Sequence, residues 1–228
     1  MTPQADPSPL SSPLRRTWLW RSFQIAYQVF FSLWLGYRSR GVENLPADGG
    51  ALLLINHRSF LDPMLAGLPL HRPVSFVARH TLFSVPFVGA ILRRTHVIPI
   101  NRDSAGTASL REIVRHIDHG FLVGMFPEGT RNNGPDPLNP LKPGITSIIR
   151  RVDAPIIPIG IAGANRVMPR GAIFIRPRPV RVVIGNAIPP EELESLRVRG
   201  REQELLNFVG QCMSDTVREA EAWLNKGD

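Results

Sequence analysis

Ala51-Leu52-Leu53-Leu54-Ile55-Asn56-His57-Arg58-Ser59-Phe60-Leu61-Asp62-Pro63 is the stretch from which the rest of the chain is best read. Five successive apolar residues make a run of strand length with no polar face, as expected of a buried strand. A polar turn follows. Pro63 suits a helix's first turn and Asp62, just before it, suits the cap. The passage therefore predicts strand, turn and helix. His57 leaves the strand end, and a carboxylate stands five positions on. On one continuous helix the two would not share a face, but a turn can bring them together. An imidazole takes a proton near neutral pH. A carboxylate on its other nitrogen fixes the tautomer and stabilises the imidazolium that forms. With six His and nine Asp in the chain, a chance pair at this spacing is roughly a one-in-four event, so it needs support from elsewhere.

A chain of 228 residues can bury one substantial core. Hydrophobic content of 43% with 20% charged residues suits a folded protein rather than a disordered one. The single Cys212 excludes an internal disulfide framework and fits a reducing compartment. It falls in a late helical pattern, which reads as a small core residue rather than a nucleophile. Net charge is +8, and only Lys142 and Lys226 among the 27 basic residues are lysines. Such a balance suits nucleic acid, anionic lipid or a phosphorylated substrate, or else reflects a compositional habit of the source.

Residues 1–13, rich in Pro and Ser, read as a disordered lead. Residues 14–38 read as a membrane-associating helical segment. They hold three of the four Trp and both Tyr, with Arg15, Arg16, Arg21 and Arg38 along them. Aromatic and basic side chains, each with an apolar body and a polar tip, are what a membrane interface selects. Gln24 and Gln28 interrupt the apolar run, which is marginal for a full span of about 20 residues. A helix lying in one leaflet fits better, with a signal peptide or a buried core helix as the other readings. Residues 39–228 alternate strand and helix patterns. Strands are predicted at 51–55, 74–78, 96–100, 121–126, 156–161 and 179–185, and helices near 63–69, 82–93, 104–118, 144–152 and 190–225. That alternation predicts an α/β domain, a mostly parallel covered sheet with flanking helices behind the N-terminal membrane-interface helix.

Other strand ends carry polar clusters. Phe126-Pro127-Glu128-Gly129-Thr130-Arg131 follows an apolar run. Amides around Gly129, the Thr130 hydroxyl and the Arg131 guanidinium can hold an anion, and Glu128 can orient that arginine. A turn with a surface ion pair is the plainer reading. Ile98-Pro99-Ile100-Asn101-Arg102 places Arg102 at another strand end, as a phosphate contact or a solvated side chain. Lys142 opens a helix and is a weaker anion candidate. In a parallel sheet these ends lie along one edge, where ligands bind.

Taken together and in this order, the clusters resemble the glycerolipid acyltransferases, the family typified by lysophosphatidic acid acyltransferases. Asn56, His57 and Asp62 match its Asn-His-x4-Asp motif, and residues 126–131 match its Phe-Pro-Glu-Gly-Thr-Arg motif without a change. Arg102 matches the arginine closing an intermediate block, and Pro155–Ile159 an apolar block; the resemblance spans about residues 38–190. Asn101 departs from a position that is often acidic in the family. The resemblance implies transfer of a fatty acyl group from acyl-CoA or acyl carrier protein to the hydroxyl of a lysophosphatidic-acid-like acceptor. His57 would be the general base and Asp62 its orienter, while Arg102, Glu128, Gly129, Thr130 and Arg131 would hold the acceptor's phosphate. An apolar channel for acyl chains falls to residues 82–93. No cofactor or metal is implied, and the expected partners are membrane lipids, the lysophospholipid and the acyl donor, with no nucleic acid. The expected location is peripheral or monotopic at the inner membrane of a bacterium, with the site facing the cytoplasm. The alternatives are action on another lyso-lipid, a catalytically silent lipid-binding relative, or a basic nucleic-acid-binding module. The last is disfavoured because the aromatics concentrate at the N-terminus. There is no His-Glu-x-x-His, no Gly-x-Ser-x-Gly and no phosphate-binding loop ending in Gly-Lys-Ser/Thr. Ser59 inside the first motif raises an acyl-enzyme as a further route, although direct attack needs none.

Overall fold

A computed structural model describes residues 18–86, 89–90, 92, 97–100, 107–169, 171–172 and 174–227. The lead at 1–13 and Arg102 lie outside the described residues, as do parts of the segments expected at 14–38, 82–93, 96–100 and 104–118.

The elements in chain order are α1 (Trp18–Leu35), β1 (Arg38–Arg40), β2 (Ala51–Ile55), α2 (Asp62–Gly67), β3 (Val74–Arg79), β4 (Ile98–Ile100), α3 (Thr107–Asp118), β5 (Leu122–Met125), α4 (Gly144–Ile149), β6 (Ile156–Ala162), α5 (Ala164–Val167), β7 (Arg181–Ile184), α6 (Pro190–Leu196) and α7 (Glu202–Lys226). The sheet order is β1-β7-β6-β2-β5-β3-β4. The block β6-β2-β5-β3-β4 is parallel, whereas β7 runs antiparallel to β6 and carries β1 parallel beside it. The fold is thus α/β with a mostly parallel, covered sheet.

Strand β2 sits at the centre, paired with β5 on one side and β6 on the other. That position explains its unbroken apolar sequence, because a central parallel strand is covered on both faces. Leu53 and Ile55 point into one core cluster with Phe31 and Leu35 of α1 and Leu65 of α2. Leu52 and Leu54 point into the other, with Ile113 of α3, Ile149 of α4 and Leu205, Val209 and Met213 of α7. Alternate side chains of one strand thereby hold two helical layers to one sheet. Full burial of each such side chain contributes about 1.5–3 kcal/mol.

Two expectations need correction. The helix expected over 190–225 is two helices, with the chain turning at residues 197–201 and Gly200 taking a φ of +89°. The segment Arg38–Arg40 is a strand although its sequence, Arg-Ser-Arg, has no apolar pattern; it is an edge strand that pairs only with β7.

Where β2 ends, Asn56 extends the pairing with its side chain. Its Nδ2 donates to the Ile161 carbonyl at 3.0 Å, and its Oδ1 accepts from the Ile161 N–H at 2.7 Å. A buried amide thus does the work of one peptide group in the ladder, and the backbone is released to turn away at His57. Asn56→Ala leaves both groups of Ile161 without partners in a dry setting, a cost of about 2–4 kcal/mol. Urea denaturation of the variant is expected to show that loss. An unchanged midpoint would mean that the amide is not a structural tie.

Candidate active site

His57 and Asp62 do meet. The His57 Nδ1 lies 2.9 Å from Oδ2 of Asp62. The same oxygen accepts the N–H groups of Arg58 and Ser59, each at 2.6 Å. Asp62 is the first residue of α2, but its carboxylate turns back onto the preceding turn rather than capping the helix forward. It is fully buried, while the His57 side chain keeps 20% of its surface exposed. Burial pushes the Asp62 carboxyl above the usual carboxylate range; the bonds from His57, Ser59 and Arg58 oppose that rise. Its other oxygen, Oδ1, is buried without a partner. The imidazole is therefore oriented through Nδ1, and Nε2 is left as the nitrogen that can face a substrate.

The second cluster is built into the first. Glu128 is fully buried. Its Oε1 accepts the His57 N–H at 2.6 Å and its Oε2 accepts the Asn139 N–H at 2.7 Å. The His57 carbonyl in turn accepts the Asn132 N–H at 2.6 Å. Both backbone polar groups of His57, its N–H and its carbonyl, are thus held by the loop that follows β5. Burial raises the Glu128 carboxyl too, against the bonds from Asn139 and His57. Glu128 therefore does not orient Arg131, because both of its oxygens are engaged by backbone donors. The Arg131 guanidinium instead lies over the Phe60 ring, 3.8 Å from its centroid. Gly129, at φ +71°, turns the loop, and its N–H donates to the Phe126 carbonyl. Thr130 is exposed. Thr130 and Arg131 thus remain available to a ligand beside the His57 turn.

Ser59 is fully buried, with Oγ donating to the Met168 carbonyl at 3.3 Å and accepting the Leu61 N–H. It has no access to a substrate, so an acyl-serine route is not supported. Cys212 is half-buried, and burial pushes its thiol pKa up, the opposite of an activated nucleophile. Among the described residues no group of three side chains could hold a metal ion. Lys142 is exposed at the start of α4, and its N–H is bonded to the Pro127 carbonyl.

Sequence reasoning missed the aromatic floor. The Phe126 ring lies 4.3 Å from the His57 ring, and Phe76 stacks on Phe126 at 6.3 Å. It also missed Arg58, whose guanidinium spans from Glu221 of α7 to the Gly134 carbonyl. The first had a usable signal, since Phe126 opens the second motif at a strand end. The second had none, because Arg58 and Glu221 are 163 positions apart.

The family model described as Acyltransferase matches residues 36–162, the segment that holds both motifs. The 1-acyl-sn-glycerol-3-phosphate acyltransferase of Bacillus subtilis is 26% identical over 202 residues, covering 88% of this chain and 96% of that protein. The enzyme of the same name from Borreliella burgdorferi is 31% identical over 151 residues, covering 64% of this chain and 60% of its relative. Among solved structures, the 1-acyl-sn-glycerophosphate (LPA) acyltransferase PlsC of Thermotoga maritima shares the fold, with a TM-score of 0.71 at 23% identity over 89% of this chain and 80% of that one. With more than half of its length matched and both motifs folded into one edge of the sheet, the chain belongs to the acyltransferase family.

Proposed function

We propose that this acyltransferase moves a fatty acyl group from a thioester donor, acyl-CoA or acyl carrier protein, to the free hydroxyl of a lysophosphatidic-acid-like acceptor. The observation that carries the reading is the His57–Asp62 pair at 2.9 Å, with its backbone locked by Glu128. An alcohol is a poor nucleophile near neutral pH and needs a base as it attacks. His57 Nε2 takes the hydroxyl proton while the oxygen bonds to the thioester carbon. The C–S bond then breaks, and the proton on His57 passes to the leaving thiolate. Asp62 holds the ring and pairs with the imidazolium between these steps. Arg131 and Thr130, with the turn at Gly129, receive the acceptor's phosphate, and Arg102 is assigned to the same phosphate from the family motif. Glu128 serves the site by holding the His57 peptide. The donor is consumed as a substrate, so the scheme calls for no cofactor.

The same reading puts the protein at a membrane surface, the inner membrane of a bacterium with the site toward the cytoplasm. Helix α1 supports this. Gln24 and Gln28 donate to the carbonyls of Leu68 and Leu70, and Phe31 and Leu35 are buried in the core. Ile25, Tyr27, Val29, Phe30, Leu33 and Trp34 are exposed. The outward face of the helix is thus apolar and aromatic, as in a helix lying in a bilayer interface. Among the described residues no helix is long and apolar enough to cross a membrane.

His57→Ala is expected to lower kcat at least about a hundredfold with the fold retained, the scale of a lost general base. Near-normal transfer by this variant, assayed with labelled acyl-CoA and a panel of lyso-lipids, would sink the mechanism. Arg131→Ala is expected to raise KM for a phosphorylated acceptor with little change for the donor; the opposite split would move the phosphate site elsewhere.

Asp62→Asn separates function from stability. Below about pH 4 an ordinary Asp is neutral in the folded and unfolded states alike. As pH rises the unfolded state ionises first, because burial raises the folded value. The stability that native Asp62 contributes at low pH is therefore lost as pH climbs through that raised value. The stability of Asp62→Asn relative to the native chain should grow from pH 4 to pH 8 in denaturant titrations, while its kcat falls. A difference that does not change with pH would contradict the assigned shift.

A further inference from the structure

The chain between α5 and β7 presents an exposed phenylalanine among exposed arginines. Phe174 is 82% exposed, and Arg176 and Arg178, two and four positions on, are exposed as well. Among the described residues neither of these two arginines has a carboxylate partner. A single exposed phenylalanine needs no explanation, but its position does bear on one. Met168 and Ile175 pack against the same core cluster as Phe31 and Leu35 of α1. At the far end of the segment, the Arg38 N–H donates to the Val180 carbonyl at 3.1 Å and Arg181 Nη1 donates to the Gly36 carbonyl at 2.7 Å. At the near end, Met168 accepts the Ser59 hydroxyl. Met168 and Ile175 thus lie on the sheet face that α1 covers, with Met168 at the His57–Asp62 turn and Val180 and Arg181 at the foot of α1. Phe60 and Met64, beside that turn, are exposed as well.

We propose that Phe174 with Arg176 and Arg178 forms a second membrane contact, one that binds the surface of an anionic phospholipid bilayer. The proposal rests on the reading that the chain acts at a lipid surface and adds where and how it is held there. A single interfacial helix leaves the domain free to roll about the helix axis. A second contact beside the catalytic turn removes that freedom and points the His57 edge at the lipid. The chemistry of the patch fits. An aromatic ring buries in the headgroup region while arginines keep their guanidinium groups at the phosphates. Each basic residue near an anionic surface strengthens binding severalfold, and the effect is screened by salt. An acidic carrier protein would also be drawn to the arginines. The bilayer is favoured because Ile175, next to Phe174, packs against the same core cluster as Phe31 and Leu35 of α1, the helix whose outer face is apolar.

The test uses the full chain, vesicles of phosphatidylcholine alone, and vesicles rich in phosphatidylglycerol. Reversing two charges in Arg176→Glu/Arg178→Glu is expected to weaken binding to the anionic vesicles about tenfold or more while hardly altering binding to the neutral ones. Phe174→Ser is expected to weaken both severalfold. Acyl transfer in detergent micelles should stay as in the unaltered chain, because none of these side chains belongs to the site. Anionic-vesicle binding that is unchanged in both variants overturns the proposal. So does a loss of micellar transfer from acyl carrier protein with vesicle binding intact, which would make the patch a carrier-protein dock. An unaltered chain that transfers acyl groups in micelles but binds neither vesicle overturns the membrane contact and leaves the enzymatic reading standing. Weakened binding by the variants of a chain that transfers no acyl group supports the contact and sinks the enzymatic reading instead.

Discussion

Two carboxylates lie buried around one imidazole, and much of the local architecture follows from keeping them satisfied. Asp62 and Glu128 are both fully buried. A buried carboxylate is tolerated only with donors around it. Regular strands and helices have already spent their N–H groups on each other, so the donors must come from irregular backbone. Arg58, Ser59, His57 and Asn139 provide them, all from turns beyond the ends of β2 and β5. The His57 peptide, bonded to Glu128 through its N–H and to Asn132 through its carbonyl, ties one turn to the other. Neither loop can take its observed shape alone. This is the physical sense in which the two sequence motifs form one unit.

The parts of this arrangement that could be read from the sequence are those with a local cause. The apolar run of β2, the turn after it and Pro63 in the first turn of α2 each follow from neighbouring residues, and the structure has them where expected. Glu128 was not readable in its actual role. A glutamate three residues before an arginine suggests an ion pair, and nothing nearby tells that its partner is a peptide N–H 71 positions earlier. Strand β1 was not readable either. Its order comes from hydrogen bonding to β7, a partner more than a hundred residues away, rather than from any apolar face. The meeting of His57 and Asp62 was legible in the sequence, whereas the partners of Glu128 and Arg131 depended on long-range contacts.

Helix α1 shows how one observation changes meaning with structure. In the sequence Gln24 and Gln28 merely shorten an apolar run. In the fold they face inward, bonded to the carbonyls of Leu68 and Leu70 at the end of α2 and beyond it. Those carbonyls lie where a helix leaves its last acceptors unpaired, so polar side chains are needed on the docking side of α1. Ile25, Tyr27, Val29, Phe30, Leu33 and Trp34 are consequently turned outward. The docking face of α1 thus mixes two glutamines with the buried Phe31 and Leu35, while its outer face is apolar and aromatic, unlike the polar outer face of an ordinary surface helix.

The unfavourable burial of Asp62 has a further consequence for the proposed reaction. While the imidazole is neutral, the carboxylate is held in a dry site by hydrogen bonds alone, and its second oxygen has no partner. When His57 accepts the alcohol proton, a full positive charge appears 2.9 Å from Oδ2. That attraction is stronger in a poorly polarisable setting than in water, and the Phe126 ring against the imidazole helps to provide such a setting. The interaction is therefore weak before proton transfer and strong as it proceeds. Only differences of this kind accelerate a chemical step. A well-solvated aspartate would bind the ground state more comfortably and gain less on the way to the tetrahedral intermediate. The destabilising carboxylate at the head of α2 is, on this argument, the part of the fold that the chemistry uses.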